Sequence, residues 1–371
     1  MDCFFCATPY QIIVSMSIAK ASKEKSDLYI IPRFENANDL ARKIASKYIF
    51  RRVKVVNKAL VDRIFKYDTK SKFSYNLHLI YRYLRINSFA KKMIDVNTKY
   101  DRAFMSVQSS VTRLLYLFLL KKHNTKQAFF EDGDGTYLRS YTLFDSGTKK
   151  TRLLQKVFVG KQQTPAKELY IYSPSLYNGL KNKKFDKIRK VDCLWKTDPD
   201  LLYDLFDCGK SKYISNQVII LDTLKNEVFD KKQQIEFDRI YNTIYSIMDN
   251  TSIIIKRHPR DTSAKIKERK YFDDTSVPFE ALCAYSDMNK KVLISYSSTA
   301  IMSSICQLEQ YPYVILLYKL VDNKFCNSAE RDRLYQRLKM LYNDKEKFFI
   351  PQTVSELESI CRLISRDLER S

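Results

Sequence analysis

The chain has 371 residues, with 65 Lys and Arg against 42 Asp and Glu for a formal net charge of +23. With 45% hydrophobic and 13% aromatic residues it is globular rather than disordered, and long enough for two domains. Six glycines exclude a glycine-rich phosphate loop, three histidines exclude a Cys/His metal cluster, and no apolar run approaches the roughly 20 residues that span a bilayer.

The first half alternates strand and helix patterns. Strands are expected at residues 3–7, 28–32, 53–56, 102–106 and 126–131, and helices at 11–22, 37–48, 74–96 and 111–123. The region from about 150 to 215, rich in Tyr and Lys, is less regular, with a strand at 169–172 and a Ser173-Pro174 turn. A second alternation follows. Strands are expected at 218–221, 252–255, 292–294 and 313–317, and helices at 231–247, 279–285, 299–308 and 354–368. Strands separated by helices imply parallel βαβ units. The expected fold class is α/β, and two such domains resemble the GT-B architecture, two Rossmann-like domains whose parallel sheets face a cleft; a single larger α/β sheet is the alternative. The expected bounds of the two domains are 1–200 and 215–350, with a closing helix at 351–371.

Residues 1–200 hold 39 Lys and Arg against 18 acids, whereas residues 201–371 hold 26 against 24. The excess peaks in residues 51–92, where twelve cations meet only Asp62 and Asp68. Such a face suits nucleic acid, an anionic membrane or an anionic substrate. A lysine-rich solvated surface is the plain alternative. The N-terminus enters a strand with no basic segment before it, so no secretory signal is expected. With scattered cysteines, this makes the expected location cytoplasmic.

Two signals sit at the C-terminal ends of expected buried strands, where open α/β sheets bind ligands. The first is Lys256-Arg257-His258-Pro259-Arg260. Pro259 keeps the His258 backbone extended, so the ring projects from the strand end, and an anion held by the flanking cations would raise its pKa. That suits a general acid or anion clamp, although a lone histidine is as often structural. The second is Ser297-Ser298-Thr299 at a helix start, which caps that helix and also offers hydroxyls and N–H groups to a phosphate.

A third signal, Glu131-Asp132-Gly133-Asp134-Gly135, ends a strand in three carboxylates. It reads as a solvated glycine turn, as an Asp132/Asp134 metal pair, or as a general base opposite His258. Thr8-Pro9-Tyr10-Gln11 opens the first helix beside the expected cleft. Glu280 lies between the two phosphate signals, either as a ribose-binding acid or as an ordinary first-turn acid.

An acidic motif, an HP dipeptide and a serine pair occur here in order as Glu131-Asp132-Gly133, His258-Pro259 and Ser297-Ser298. This set resembles the bacterial sialyltransferases, and the opening Phe5-Cys6-Ala7-Thr8-Pro9-Tyr10-Gln11 resembles glycosyltransferase family 52, the lipooligosaccharide and capsule sialyltransferases. The resemblance implies inverting transfer from CMP-sialic acid to a galactose-terminated surface glycan, with no metal and no cofactor. It makes Asp132 the base, with Glu131 and Asp134 as alternatives, and gives His258 the departing phosphate. Ser297 and Ser298 would bind that phosphate and Glu280 the ribose, while Thr8, Gln11, Lys256, Pro259, Arg260 and Thr299 complete the expected donor site. The expected partners are the nucleotide-sugar donor, a lipid-linked glycan acceptor and an anionic inner-membrane surface. A homodimer is left open. A GT-B enzyme using a UDP-sugar and the Asp132/Asp134 pair is the second reading. A nucleic-acid-binding protein is the third, but the charge follows no recognisable nucleic-acid-binding motif, so no nucleic acid is expected.

Overall fold

Short apolar runs flanked by polar turns form strands here, because each is too short to make a stable helix. A computed structural model describes residues 1–66, 72–106, 109–138, 149–177, 185–208, 217–223, 229–248, 253–257, 277–298, 300–322 and 328–370. The chain divides into two units, Met1–Leu194 and Trp195–Ser371.

The first unit contains β1 (Asp2–Cys6), β2 (Ser26–Ile30), β3 (Arg52–Val55), β4 (Arg102–Met105), β5 (Lys126–Phe130), β6 (Glu168–Ile171) and β7 (Lys187–Lys190). They form one sheet in the order β3-β2-β1-β4-β5-β6-β7, with every pairing parallel. The chain starts at mid-sheet, runs outward to β3, then crosses back to β4. The β1/β4 junction is therefore the topological switch point of a Rossmann-type sheet.

β1 and β2 are buried along their full length, and Phe4 stacks on Phe104 of β4 with ring centroids 4.5 Å apart. Near the N-terminal strand ends, Arg51 grips the buried Asp27 with bonds of 2.8 and 2.5 Å, and the Tyr100 hydroxyl donates to the same carboxylate at 2.5 Å. Arg102 grips Asp2 in the same bidentate way, at 3.0 and 2.6 Å. These charge-assisted pairs tie down one edge of the sheet and leave its C-terminal edge to carry the polar loops.

Some elements depart from the sequence pattern. The helix expected at 74–96 is two helices, Lys72–Leu84 and Ile86–Met93, with Arg85 between them at φ −100° and ψ 16°. Helices Lys58–Lys66, Lys149–Val159 and Pro199–Phe206 were not expected, nor was β7. Every residue of β7 is exposed, and three of its four side chains are cationic. It is an edge strand with a charged rim, which discourages pairing with another chain.

The second unit contains β8 (Val218–Leu221), β9 (Ile253–Lys256), β10 (Val292–Ser295), β11 (Tyr313–Leu316) and β12 (Phe348–Phe349). These are ordered β12-β11-β10-β8-β9, again all parallel. Counted within the unit, the order is 2-1-3-4-5, with its switch point between β8 and β10. Helix Lys231–Ile247 begins with a capping box between Asp230 and Gln233, and it packs on the closing helix Val354–Arg370. The helix expected at 299–308 is a short turn at Ile301 and Met302 that widens into a π-turn over Ser303–Gln307. No described helix is long and apolar enough to cross a membrane.

Candidate active site

In the first unit the polar groups gather where β1 and β5 end. Helix Pro9–Ala21 starts there because Pro9 suits the first helical position and the Thr8 side chain accepts a hydrogen bond from Gln11 N–H at 3.2 Å. The Gln11 side chain is buried and fixed from both ends. Its Oε1 accepts from Ala7 N–H at 2.6 Å, which leaves its Nε2 to donate to Asp132 Oδ1 at 3.0 Å. Gly133 turns the chain at φ +70°, and the Asp132 N–H donates to Thr136 Oγ1 at 2.7 Å.

The three neighbouring carboxylates are unlike one another. Glu131 is 1% exposed and accepts from the Tyr10 hydroxyl at 2.7 Å, the Tyr137 hydroxyl at 2.6 Å and Tyr172 N–H at 2.8 Å. Burial pushes its carboxyl above the usual carboxylate range, against the lowering pull of these three donors. Asp134 is buried where helix Asp134–Leu138 starts. Asp132 alone of the three is partly exposed, with one oxygen held by Gln11. Glu131 is therefore an anchor joining β5, β6 and the first helix, whereas Asp132 is a carboxylate oriented and open to solvent.

In the second unit, the ends of β8, β9 and β10 carry the expected donor-site groups. Lys256 ends β9 and is buried, as is Arg257, and the Lys256 carbonyl accepts from Asp222 N–H at 2.8 Å. Glu280 lies in the first turn of helix Phe279–Tyr285 and accepts from the Ser303 hydroxyl at 3.2 Å. Burial raises its carboxyl, opposed by a backbone hydrogen bond, by Ser303 and by the positive charge of Lys256. Across the β8/β10 switch point, Ser295 Oγ donates to the Leu221 carbonyl at 3.2 Å and accepts from Ser298 N–H at 2.8 Å. Ser298 Oγ in turn accepts from Ala300 N–H at 3.3 Å. Two amides that sequence reasoning assigned to a phosphate are thus engaged within the loop itself. Ser297 and Ser298 are both partly exposed.

The structure brings Thr8, Gln11, Glu131, Asp132 and Asp134 to one edge of the first sheet. Lys256, Glu280, Ser297 and Ser298 belong to the second unit. His258, Pro259, Arg260 and Thr299 lie outside the described residues. Sequence reasoning missed Tyr137, Tyr172 and Ser303, which hold Glu131 and Glu280 in place. The only signal for them was a tyrosine or serine just beyond a strand or turn. Among the described residues no group of three or more His, Cys, Asp and Glu side chains is arranged to hold a metal ion.

Comparison with known proteins agrees with this architecture. Among solved structures, the Methanocaldococcus jannaschii UDP-GlcNAc 2-epimerase aligns with 98% of this chain and 92% of its own, at 13% identity and a TM-score of 0.55. A sialyltransferase from Photobacterium damselae, residues 113–497 corresponding to its GT-B domain, aligns with 94% of this chain and 100% of its own, at 11% identity and a TM-score of 0.47. The calicheamicin glycosyltransferase CalG4 aligns over 99% and 94% respectively, at 9% identity and a TM-score of 0.43. No curated protein sequence matches the chain significantly. The two parallel Rossmann-like sheets and the fold shared with the epimerase make this a GT-B protein. Residues 2–318 match the family described as alpha-2,8-polysialyltransferase (POLYST), which supports sialyl transfer and does not itself specify family 52. The chain belongs to the alpha-2,8-polysialyltransferase family.

Proposed function

We propose that the protein is an inverting sialyltransferase that uses CMP-sialic acid as donor and needs no metal, in keeping with its resemblance to glycosyltransferase family 52. Asp132 takes the proton from the acceptor hydroxyl as that oxygen attacks the anomeric carbon of the sialyl group. The bond to the CMP phosphate breaks at the same centre, and the configuration inverts. His258 protonates or stabilises the departing phosphate, Ser297 and Ser298 bind it, and Glu280 binds the ribose. The leaving group is a nucleoside monophosphate, with less charge than a diphosphate, and one imidazole with a few hydroxyls can stabilise it.

The observation that carries this reading is Asp132 itself. It is the one solvent-reached carboxylate of its cluster and stands at the C-terminal edge of the first sheet, with Gln11 Nε2 fixing its orientation at 3.0 Å. The family description favours a sialic acid at the end of the acceptor over the galactose that the resemblance to family 52 implied. The acceptor is a lipid-linked surface glycan, and the positive first half, 39 cations against 18 acids in residues 1–200, supports a cytoplasmic position at an anionic inner-membrane face. Asp132→Ala and His258→Ala each lose about 10²–10⁴-fold in turnover with unfolding curves like wild type. Near-normal turnover in either variant removes that residue from the mechanism.

A further inference from the structure

We infer that helices Lys72–Leu84 and Lys149–Val159 of the first unit form one surface that docks on an anionic phospholipid bilayer. This deepens the membrane-facing part of the proposed function by naming the surface. It rests on that part alone and not on the donor or the chemistry.

The two helices pack on each other through buried faces, where Gln155 Nε2 donates to the Tyr83 hydroxyl at 3.4 Å. Away from buried residues, Leu79 and Tyr83 on the first and Gln155 and Val159 on the second, each helix carries apolar side chains outward. On the first they are Leu77, Tyr81 and Leu84, spaced i, i+4, i+7, and on the second Leu153 and Val157, spaced i, i+4. At 3.6 residues per turn each set is a single stripe. These five side chains are 39–64% exposed and make up five of the twelve large hydrophobic side chains exposed among the described residues. Scattered single exposures need no explanation, but aligned exposures along each of two packed helices do.

Along these segments the charge has one sign. Residues 72–93 and 149–159 together hold nine Lys and Arg and no Asp or Glu. Arg85, Lys149, Lys150 and Lys156 are exposed. Beside Leu77 and Tyr81 a cavity of about 430 Å³ is lined also by Arg63, His78 and Arg82, with Arg82 held by the Ile64 carbonyl at 2.6 Å. Guanidinium groups at the wall of such a cavity suit the phosphate of a lipid headgroup.

Apolar side chains set among cations on a helix face are the arrangement of a helix lying in the bilayer interface. A soluble polyanion accounts for the cations but leaves five apolar side chains in water. A second copy of the chain accounts for the apolar stripe but brings two cationic faces together. A bilayer with anionic headgroups satisfies both.

The test uses the purified full chain, without donor or acceptor, so its failure leaves the transferase reading untouched. Sedimentation is measured with vesicles of equal parts phosphatidylglycerol and phosphatidylcholine, and with phosphatidylcholine alone. The wild type partitions to the anionic vesicles and not to the neutral ones. At about fivefold per cation near an anionic surface, the triple variant Lys149→Gln, Lys150→Gln, Lys156→Gln binds them on the order of a hundredfold more weakly. The variant Leu77→Ser, Leu84→Ser, Leu153→Ser binds at low salt but is released by salt that the wild type withstands. All six positions are exposed or lie on the outer stripes, so both variants unfold at the wild-type temperature. Absence of wild-type binding, or equal binding by both variants, overturns the assignment. So does a wild-type dimer that the serine variant converts to a monomer, because the stripe then belongs to a second copy.

Discussion

Replacing Glu131 separates an anchoring carboxylate from a catalytic one. In Glu131→Ala three buried donors lose their acceptor at once, the Tyr10 and Tyr137 hydroxyls and Tyr172 N–H. Each unsatisfied buried donor costs about 1–3 kcal/mol, so the loss is roughly 3–6 kcal/mol after some relaxation toward water. That is a large share of the 5–15 kcal/mol typical of a folded domain, and the first unit melts far earlier or does not fold. Glu131→Gln behaves differently. Its amide oxygen can face Tyr137 and Tyr172, and the Tyr10 hydroxyl can turn to accept from its NH₂ group. Because burial already raises the Glu131 carboxyl, the neutral amide also removes a disfavoured charge. The expected change is within about 1 kcal/mol near neutral pH. Urea unfolding followed by circular dichroism measures both variants, and turnover is measured on Glu131→Gln. An amide variant that folds normally yet loses a hundredfold or more in turnover refutes the anchoring role and moves the base from Asp132 to Glu131.

Three further outcomes follow from the same geometry. Gln11→Leu removes the Nε2 donor that orients Asp132 and strips Ala7 N–H of its partner, so kcat falls about tenfold or more while KM for the donor changes little. An unchanged kcat removes Gln11 from the orientation of Asp132. Ser295→Ala removes the group bridging the Leu221 carbonyl and Ser298 N–H, which costs about 1–3 kcal/mol and raises KM for the donor more than it lowers kcat. An unchanged KM dissociates this loop from donor binding. The raised pKa of buried Glu280 gives a signed pH effect: its contribution to stability is full below the ordinary glutamate pKa and is lost as pH rises through the elevated one. Glu280→Gln therefore flattens the stability–pH curve of the second unit above the ordinary glutamate range, and an identical slope in wild type and variant contradicts the assignment.

Much of the fold can be read in the chain because its strands are short apolar runs buried in parallel sheets, which need no alternation. Where that signal is missing, so is the expectation. β7 is Lys187-Ile188-Arg189-Lys190, an exposed cationic edge with nothing apolar to mark it, and β12 is only two residues long. The break at Arg85 has neither Pro nor Gly to announce it. The π-turn at Ser303–Gln307 has no local sequence mark either, although it carries the serine that meets Glu280. The candidate site is legible as a set of residue types at strand ends, but not as a set of partners. Gln11 and Asp132 are 121 residues apart, and they meet because β1 and β5 both flank β4. The three carboxylates of Glu131-Asp132-Gly133-Asp134 look interchangeable in sequence. Only the three donors around Glu131 and the burial of Asp134 tell them apart.

Transfer from CMP-sialic acid without a metal is open to one direct test. The direct test incubates the purified wild-type chain with CMP-sialic acid and a sialic-acid-terminated oligosaccharide, with and without EDTA, and measures free CMP and the elongated product. CMP release and product are expected at equal rates in both conditions, with loss of both in Asp132→Ala. No CMP release, or release abolished by EDTA and restored by a divalent ion, contradicts metal-independent transfer from CMP-sialic acid.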